Sequence, residues 1–599
     1  MIRKDVEDSR QIGELCRLSP AIQPPPAIRS LALCVLGFVL CILVSVAPLH
    51  NLAGTTLLLQ LTPGMLLVWV GAWLPRDLGL ATNRIQSFVS TNSFEFQALM
   101  VVAFTIYSLC VRLIQRQAPQ ANNRRILRVI WLGMFGAGII FILMPAMLSH
   151  DIFVYAGYGR LLAFYHTNPY FTPFSAYPHD PLYRSDDWRT AVAAYGPLWL
   201  GVCGLASLVL GANPLGYILA FRIFGFACHL FNTLLITAIL RTTGRTPRTV
   251  ALGTALYALN PLVLLESALG AHNDVFMVTL LLLGFLFCVR AEQHGITRPR
   301  NYLPPVLFFT LAGLIKFTCL PIIALFIIML FYRTLRSAQT GEASHRPYAE
   351  PRPVSATTRQ ATVLRWWPAL LTTLIAGAFS GGVALAGYAP FWVGYSVSQI
   401  IGSFSAPPSA YMTAFSILKG ITVWGIAHPQ PVHSWGYTLL SMFSQHALWN
   451  YINIGTVCIG MIIGAICLWR RPTIRTLALV ALAILGALLI VTTWFFPWYV
   501  TWLMCLAAIC LPGTSTRIGR GLLAFTLVFS VSAFSVYLFN GRAPQGNWNG
   551  FVCLTSIGPP VLAFLLAITW RRRKPTQQPG GQLYSMTTIG EDSKTITLL

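Results

Sequence analysis

Long apolar runs recur along almost the whole chain and constrain the fold more than any other feature. A run of about 17–25 apolar residues can cross a hydrocarbon core of about 30 Å. A segment inside lipid must satisfy its own backbone hydrogen bonds, so it folds as a helix. We therefore predict an all-α, polytopic membrane protein of about 14 transmembrane helices. The predicted spans are 31–49, 95–115, 126–148, 215–240, 249–269, 274–290, 303–317, 319–333, 368–390, 447–469, 474–495, 498–512, 520–540 and 551–570.

Composition and charge placement exclude other classes of protein. Apolar residues make up 55% of the chain and charged residues 10%, whereas a soluble globular protein carries about 25% charged residues. The net charge is +24, but the basic residues cluster between apolar runs, as they do in cytoplasmic loops. The chain is thus neither a soluble enzyme nor a nucleic-acid-binding protein, and its expected surroundings are the lipid bilayer.

The arginine clusters also set the predicted topology, because Lys and Arg mark cytoplasmic loops. Placing the clusters inside puts both termini in the cytoplasm. If either of two further apolar segments, 52–74 and 195–211, crossed the membrane, a nearby arginine cluster would lie on the outer side. Both segments are therefore interpreted as interfacial or re-entrant. The resulting organisation is a cytoplasmic leader (1–30), a transmembrane domain (31–570) with outer loops at 149–214 and 391–446 and a cytoplasmic linker loop at 334–367, and a disordered cytoplasmic tail (571–599).

Charged residues at membrane depth mark the candidate site, because each costs at least about 2.5–3.5 kcal/mol to bury there. Arg222, Glu266 and Lys316 lie within predicted spans, and Asp151 and Asp274 lie at span edges. The predicted topology places all five towards the outer face. Polar groups gathered at one interface indicate a site that meets both lipid and water, whereas a transporter more often places them near the midplane.

The first motif, Ser149-His150-Asp151, opens the first outer loop. A carboxylate held at the mouth of a helix and partly desolvated there would have a raised pKa and act as a better base. The alternative is that Asp151 only caps an amphipathic helix over 152–165, and spacing alone favours this alternative. Asp186 and Asp187, further along the loop, are interpreted as solvated acids or as the start of a helix.

The second motif runs from Asn260-Pro261 to Gly270-Ala271-His272-Asn273-Asp274. The proline should kink the span that contains it. The His-Asn-Asp turn could hydrogen-bond sugar hydroxyls, or its Asn-Asp pair could cap the next helix. The residues alone do not decide between these two functions.

Two further features each have a functional and a structural interpretation. Lys316 suits a phosphate anion at the level of the lipid headgroups, or its side chain snorkels to the interface. Phe496-Pro497-Trp498-Tyr499 opens a predicted span on the outer side. Such clusters are also typical of the aromatic belt of any membrane protein.

Taken in order, the motifs resemble those of a known family. They are Tyr158-Gly159-Arg160, Asn168-Pro169-Tyr170, Tyr195-Gly196-Pro197, Asn260-Pro261, Gly270 to Asp274, Lys316 and Pro497-Trp498-Tyr499. The sequence resembles the polyprenol-phosphate-mannose-dependent α-(1→6)-mannosyltransferases of the GT-C class, which extend lipoglycan mannan chains outside the plasma membrane. The resemblance extends from about residue 126 to about residue 500.

The resemblance implies a function and residue roles. The protein would be an inverting glycosyltransferase of the plasma membrane that moves mannose from a polyprenyl-phosphate donor to a glycan or lipoglycan acceptor on the extracytoplasmic side. Asp151 would be the general base. The charge and depth of Lys316 and Arg222, rather than the resemblance, assign these two residues to stabilising the departing phosphate. A monophosphate leaving group implies no obligatory metal and no other cofactor. The residues expected to bind substrate are Tyr155, Arg160, Tyr170, Tyr195, Arg222, Glu266, His272, Asn273, Asp274, Lys316, Trp498 and Tyr499. The alternative is a transporter or flippase of a lipid-linked saccharide, in which Arg222 and Lys316 only bind phosphate.

Overall fold

The regular structure of the chain is helical. The computed structural model describes residues 26–46, 93–118, 123–144, 147–340, 361–405, 413–539 and 548–569. In order, its helices are α1 (Pro26–Val44), α2 (Ser93–Gln115), α3 (Asn123–Ile142), α4 (Asp151–Ala163), α5 (Pro197–Leu210), α6 (Pro214–Thr242), α7 (Pro247–Ala258), α8 (Pro261–Ala268), α9 (Asp274–His294), α10 (Pro299–Gly313), α11 (Leu320–Thr340), α12 (Ala361–Trp392), α13 (Val397–Ser405), α14 (Ile417–Ala427), α15 (Trp435–Phe443), α16 (His446–Arg470), α17 (Ile474–Val491), α18 (Val500–Cys510), α19 (Arg517–Ser532), α20 (Ser535–Phe539) and α21 (Trp548–Thr569). Short 3-10 turns at Phe317–Cys319 and Pro497–Tyr499 precede α11 and α18.

The predicted multi-pass, all-α architecture is confirmed, because a helix lies at each of the 14 predicted spans. Within the described ranges, 10 helices are long and apolar enough to cross a membrane, or up to 11 if the bent pair α7 and α8 is one span. This number is lower than the predicted 14 because the apolar part of α1 (28–44), α10 and α18 each have fewer than 18 residues. The chain is a multi-pass membrane protein.

Pro261 breaks the span that contains it, as predicted. The axes of α7 and α8 differ by 52°, and Pro261 is the first residue of α8. Proline has no N–H to continue the ladder of the preceding helix. The Asn260 side chain instead caps α8, accepting from the Val263 N–H at 3.2 Å, and donates to Ser530 Oγ at 3.1 Å. The bend carries the chain into the turn at 269–273, where candidate site residues begin.

The centre and the periphery of the helix bundle differ sharply in burial. In the apolar window of α9, 78% of the residues are buried, and every residue of α18 is buried. In the windows of α12 and α16 only 11% are buried. An apolar helix with so little protein around it faces lipid, so α9 and α18 lie at the centre and α12 and α16 at the outside.

The two helices of the first outer loop have different surroundings. Every residue from Asp151 to Leu161 of α4 is buried, so the expectation of an amphipathic helix over 152–165 is wrong. The bundle and the loop cover this helix on all sides. In contrast, α5 is only 14 residues long and exposes Leu205, Leu208 and Val209, as an interfacial segment would. The predicted re-entrant segment 52–74, the first 25 residues and the tail from 570 lie outside the described residues.

Candidate active site

Asp151 is the first residue of α4, but its side chain does not cap that helix. No side-chain hydrogen bond caps the N-terminus of α4, and the Asp151 backbone N–H donates to Ser149 Oγ at 3.2 Å. The carboxylate instead approaches the ring of His272, with 3.3 Å between Asp151 Oδ2 and His272 Nδ1. The capping interpretation, which spacing favoured, therefore does not describe this residue.

The turn Gly270-Ala271-His272 brings this ring between two carboxylates. His272 Nε2 lies 3.3 Å from Glu266 Oε2, and the Tyr537 hydroxyl donates to Glu266 Oε1 at 2.6 Å. The ring stacks on Trp498 with 3.7 Å between centroids. A Cβ at position 270 would lie 2.7 Å from His272 Cδ2 and 2.8 Å from Glu266 Oε2. Only glycine therefore leaves room for this contact.

Asp274 and Lys316 form the second polar centre. Asp274 Oδ1 accepts from Lys316 Nζ at 2.6 Å and from Trp502 Nε1 at 2.6 Å. The Asp274 carboxylate is fully buried, whereas the Lys316 side chain is 12% exposed. Asn273, at the start of α9, makes no side-chain cap hydrogen bond. Asp274 thus pairs with a cation, and the Asn273 side chain does not cap the helix.

Tyr195-Gly196-Pro197 joins the first outer loop to the segment that carries Lys316. The Gly196 N–H donates to Ile315 O at 3.0 Å, and the Leu198 N–H donates to Leu314 O at 3.2 Å. A Cβ on Gly196 would lie 2.1 Å from Leu314 O, so the two backbones meet without a side chain between them. This backbone contact places Tyr195 next to Lys316, with 5.7 Å from Nζ to the ring centroid.

A cavity of about 270 Å³ lies between these groups, near the lower limit of about 300 Å³ for small-molecule sites. Its wall combines one carboxylate, one ammonium and many aromatic rings, so it can hold a polar molecule against flat apolar faces. The predicted site residues that line it are Asp151, Tyr195, Lys316, Trp498 and Tyr499, and the other aromatic residues in its wall are Tyr158, Trp188, Trp494, Phe496, Trp502 and Phe317.

The environment of Asp151 lowers the pKa of its carboxyl, contrary to the expectation of a raised value. Burial raises this pKa, but the contact with His272, the charge of His272 and the charge of Lys316 together lower it by more than burial raises it. For His272, burial lowers the pKa, and the contacts with Asp151 and Glu266 raise it to about 9. At neutral pH, Asp151 is therefore an anion and His272 a cation.

Asp186 is buried, so its interpretation as a solvated loop acid is wrong, whereas Asp187 is 57% exposed. Asp186 Oδ1 accepts from the Trp188 N–H at 2.7 Å, which fixes the approach of the loop to the cavity wall. Burial raises the pKa of Asp186 to about 7, although the Trp188 N–H opposes this. Asp187 contacts His150 Nδ1 at 2.7 Å.

Some predicted substrate-binding residues lie one layer behind the cavity. Tyr155 is buried, and its hydroxyl accepts from the Asn273 N–H at 3.3 Å. The Tyr170 hydroxyl donates to Tyr195 O at 2.9 Å. Glu266, His272 and Asp274 contact lining residues or their direct neighbours. These side chains support the cavity wall without forming it.

The structure does not bring the two predicted arginines to the cavity. Arg160 pairs with Asp180 and donates to Gly211 O at 3.0 Å, which ties the outer loop together. Arg222 is fully buried in α6 and donates to three backbone carbonyls: Leu269 O at 3.0 Å, Ile142 O at 3.1 Å and Met144 O at 2.7 Å. These carbonyls lie at or just beyond helix ends, where intrahelical donors are missing. Arg222 does not line the cavity, so its assignment to a phosphate finds no support in this geometry.

Sequence reasoning missed Trp502 and Trp494. Trp502 lies four residues after Trp498 and thus on the same face of one helical turn, which is a signal that the sequence contains. Trp494 reaches the cavity because a loop joins its segment through backbone bonds from Ala414 N to Thr493 O (3.1 Å) and from Phe495 N to Ala414 O (2.9 Å). No local pattern indicates that pairing. Among the described residues no group of His, Cys, Asp and Glu could hold a metal, and the expectation that the reaction needs none stays a prediction.

Comparisons with known proteins support the resemblance stated above. Residues 52–333, slightly less than half of the chain, match the family described as "Alpha-(1->6)-mannopyranosyltransferase, N-terminal domain". This segment contains Asp151, Asp274 and Lys316 but ends before the aromatic motif at 496–499.

The alpha-(1->6)-mannopyranosyltransferase A of Corynebacterium glutamicum is 27% identical over 147 residues, which are 24% of this chain and 29% of that protein. The match thus spans less than one third of the relative's length. No solved structure matches the chain. Over residues 52–333 the chain is therefore similar to the N-terminal domain of the alpha-(1->6)-mannopyranosyltransferases.

Proposed function

We propose that the protein is an integral-membrane, inverting glycosyltransferase that moves mannose from a polyprenyl-phosphate donor to a glycan or lipoglycan acceptor, forming an α-(1→6) linkage. The observation that carries the proposal is the meeting of Asp151 and Lys316 in the wall of one aromatic-lined cavity. The family match and the curated relative support mannosyl transfer as the reaction class.

Asp151 serves the acceptor side of this reaction. Burial raises the pKa of its carboxyl, but the contact with His272 and the charges of His272 and Lys316 together outweigh burial. The carboxylate is therefore ionised at neutral pH and can take a proton from a sugar hydroxyl. The acceptor oxygen then attacks C1 of the mannose, and the proton passes to Asp151 as the new C–O bond forms. The aromatic rings of Trp498 and Tyr195 in the cavity wall hold the apolar faces of the sugars.

Lys316 serves the donor side. Its ammonium group has three N–H donors, one of which binds Asp274, so the others are available to a phosphate. The bond between C1 and the phosphate oxygen breaks, and its electron pair leaves with the polyprenyl phosphate. The charge that develops on that oxygen is stabilised by the nearby ammonium. Asp274 Oδ1 holds the ammonium through one bond of 2.6 Å, and Trp502 Nε1 donates to the same oxygen at 2.6 Å.

Helix polarity supports a site on the extracytoplasmic side of the plasma membrane. α9 begins with Asp274 and reaches Arg290 in its last turns, and α11 begins after Lys316 and reaches Arg333 and Arg336. α17 starts beside Arg475 and ends at the cavity. On each of these helices the arginines lie at the end away from the cavity, which is the cytoplasmic end if Arg marks the inside. Both termini are then cytoplasmic.

Replacing the proposed base tests this function. In the full-length protein reconstituted in lipid, Asp151→Asn should reduce mannosyl transfer by about 10³-fold or more, because an amide cannot accept the proton. Binding of polyprenyl-phosphate mannose should change little. Product formation is measured with radiolabelled donor and short mannosides, followed by linkage determination. Undiminished transfer by the variant contradicts the mechanism, and donor translocation without transfer by the unmodified protein supports the flippase alternative.

A further inference from the structure

The ring of His272 lies between two carboxylates but does not line the cavity. Its Nδ1 faces Asp151 Oδ2 and its Nε2 faces Glu266 Oε2, both at 3.3 Å. The side chain has no exposed surface, and the ring of Trp498 covers one of its faces. His272 was expected to bind substrate. This geometry instead lets it act on the reaction only through Asp151.

The placement of both nitrogens determines the charge on this ring. A neutral imidazole has one donor and one acceptor, so it would direct a lone pair at one of the two carboxylates. Facing both carboxylates favourably requires a proton on each nitrogen, which makes the ring a cation. Burial lowers the pKa of His272, but the contacts with Asp151 and Glu266 raise it to about 9. The Tyr537 hydroxyl, donating to Glu266 Oε1 at 2.6 Å, stabilises the far carboxylate.

We propose that His272 is a positioning residue: as an imidazolium held by Glu266 and Tyr537, it keeps Asp151 ionised and engages one carboxylate oxygen so that the other takes the acceptor proton. This inference rests on the proposed function, in which Asp151 is the base. His272 itself touches neither the sugar nor the phosphate.

The groups around Asp151 determine what removing the imidazolium does. Lys316 is the other nearby cation, and it is already paired with Asp274 at 2.6 Å. Without His272, the contact and the charge that oppose burial most strongly are lost, so the pKa of the Asp151 carboxyl rises. Because only the ionised form accepts a proton, the acid limb of the pH profile moves to higher pH. The titratable groups coupled to Asp151 or to His272 are Glu266, Lys316, Tyr155, Tyr195, Tyr499, Tyr537 and Asp186. The Ser149 hydroxyl also contacts the Asp151 carboxylate.

The test compares the dependence of kcat/KM on pH in the full-length protein reconstituted in lipid, with polyprenyl-phosphate mannose as donor and a short mannoside as acceptor. His272→Gln should move the acid limb to higher pH by about one pH unit or more. At pH values below the limb, this corresponds to a loss of about tenfold in kcat/KM. Above the new limb, much of the activity should return. A merely structural role would lower activity at every pH and leave the limb where it is.

Glu266→Gln tests the far side of the same arrangement. With one anion removed, the imidazolium is less stable, so the pKa of His272, followed by 15N NMR of the labelled ring, should fall. The matched control is His229→Gln, because His229 is also fully buried but contacts Ala258 O and Ser267, not the cavity. It should change neither the acid limb nor the pKa of His272.

The outcomes separate this inference from the proposed function. An unshifted acid limb in His272→Gln overturns the inference. If that variant does not fold, an unchanged pKa of His272 in Glu266→Gln overturns it alone. Activity retained by Asp151→Asn removes the base itself and therefore the proposed function. An inactive Asp151→Asn together with an unshifted acid limb in His272→Gln rejects only the role of His272.

Discussion

Lys316 and Arg222 are two cations at membrane depth with similar sequence surroundings and different partners. Both lie in apolar segments, and the sequence suggests a phosphate for both. Lys316 pairs with one carboxylate and lines the cavity. Arg222 is fully buried and donates to the carbonyls of Leu269, Ile142 and Met144.

The two cations differ in how their hydrogen-bond donors are used. The planar guanidinium group of Arg222 donates hydrogen bonds to carbonyls from two separate stretches of chain. It therefore stabilises the junction of α3, α6 and α8. Lys316 gives one donor to Asp274 and keeps a partly exposed ammonium among the rings of Tyr499 and Trp502, at 4.5 Å and 5.4 Å. A buried charge therefore indicates a function only when its partners leave it able to bind something else.

Of the two cations, Lys316 should have the larger effect on transfer. Lys316→Gln should lower the rate of mannosyl transfer by about 10²–10³-fold, because the developing phosphate charge loses its cation. The control is the double variant Lys316→Gln with Asp274→Asn, which leaves no unpaired buried carboxylate. If the double variant regains the activity, the lysine serves Asp274 alone and the comparison with Arg222 collapses.

Arg222 should affect stability more than chemistry. Arg222→Met leaves three carbonyls without their donor and should lower the free energy of unfolding by about 2–4 kcal/mol. Transfer per folded molecule should stay within about threefold of the original value. Thermal unfolding in detergent and activity normalised to folded protein measure the two effects, with Arg222→Lys as a control that keeps the charge but not the planar fork. Normal stability with lost transfer would make Arg222 a phosphate ligand after all.

A smaller effect is expected from Trp502, which holds Asp274 in place for Lys316. Trp502→Phe keeps the ring but removes the 2.6 Å bond to Asp274 Oδ1. A hydrogen bond to a charged group contributes about 1.5 kcal/mol, so transfer should fall by about tenfold or less, with the Lys316 substitution still larger. Trp435→Phe is the control because Trp435 is 86% exposed. Equal effects of the two tryptophan substitutions would show that Asp274 needs no second donor.

The fold was largely predictable because its signal is local. Length and apolarity identify each span, and Pro261 predicts the break between α7 and α8 from the chemistry of one residue. The convergence of Asp151, Asp274 and Lys316 at one end of the bundle also followed from their positions at span edges together with the arginine pattern.

The site was less predictable where it depends on contacts between distant segments. The lowered pKa of Asp151 depends on His272, which is more than one hundred positions away. The burial of Asp186 and the carbonyl partners of Arg222 also arise from packing rather than from neighbouring residues. The aromatic residues at 494–502 have a composition that a membrane belt shares, so composition alone does not identify them as a cavity wall.

The backbone contact of Gly196 with Leu314 and Ile315 has a consequence for how this protein can diverge. It joins the first outer loop, which carries the proposed base Asp151, to the segment that carries Lys316. Backbone atoms alone make this contact, with no side chain that could adjust between them. In relatives that use other acceptors, the sequence changes should therefore lie in parts of the first outer loop that are distant from this backbone contact. A single methyl group added at Gly196 should disable both halves of the reaction at once.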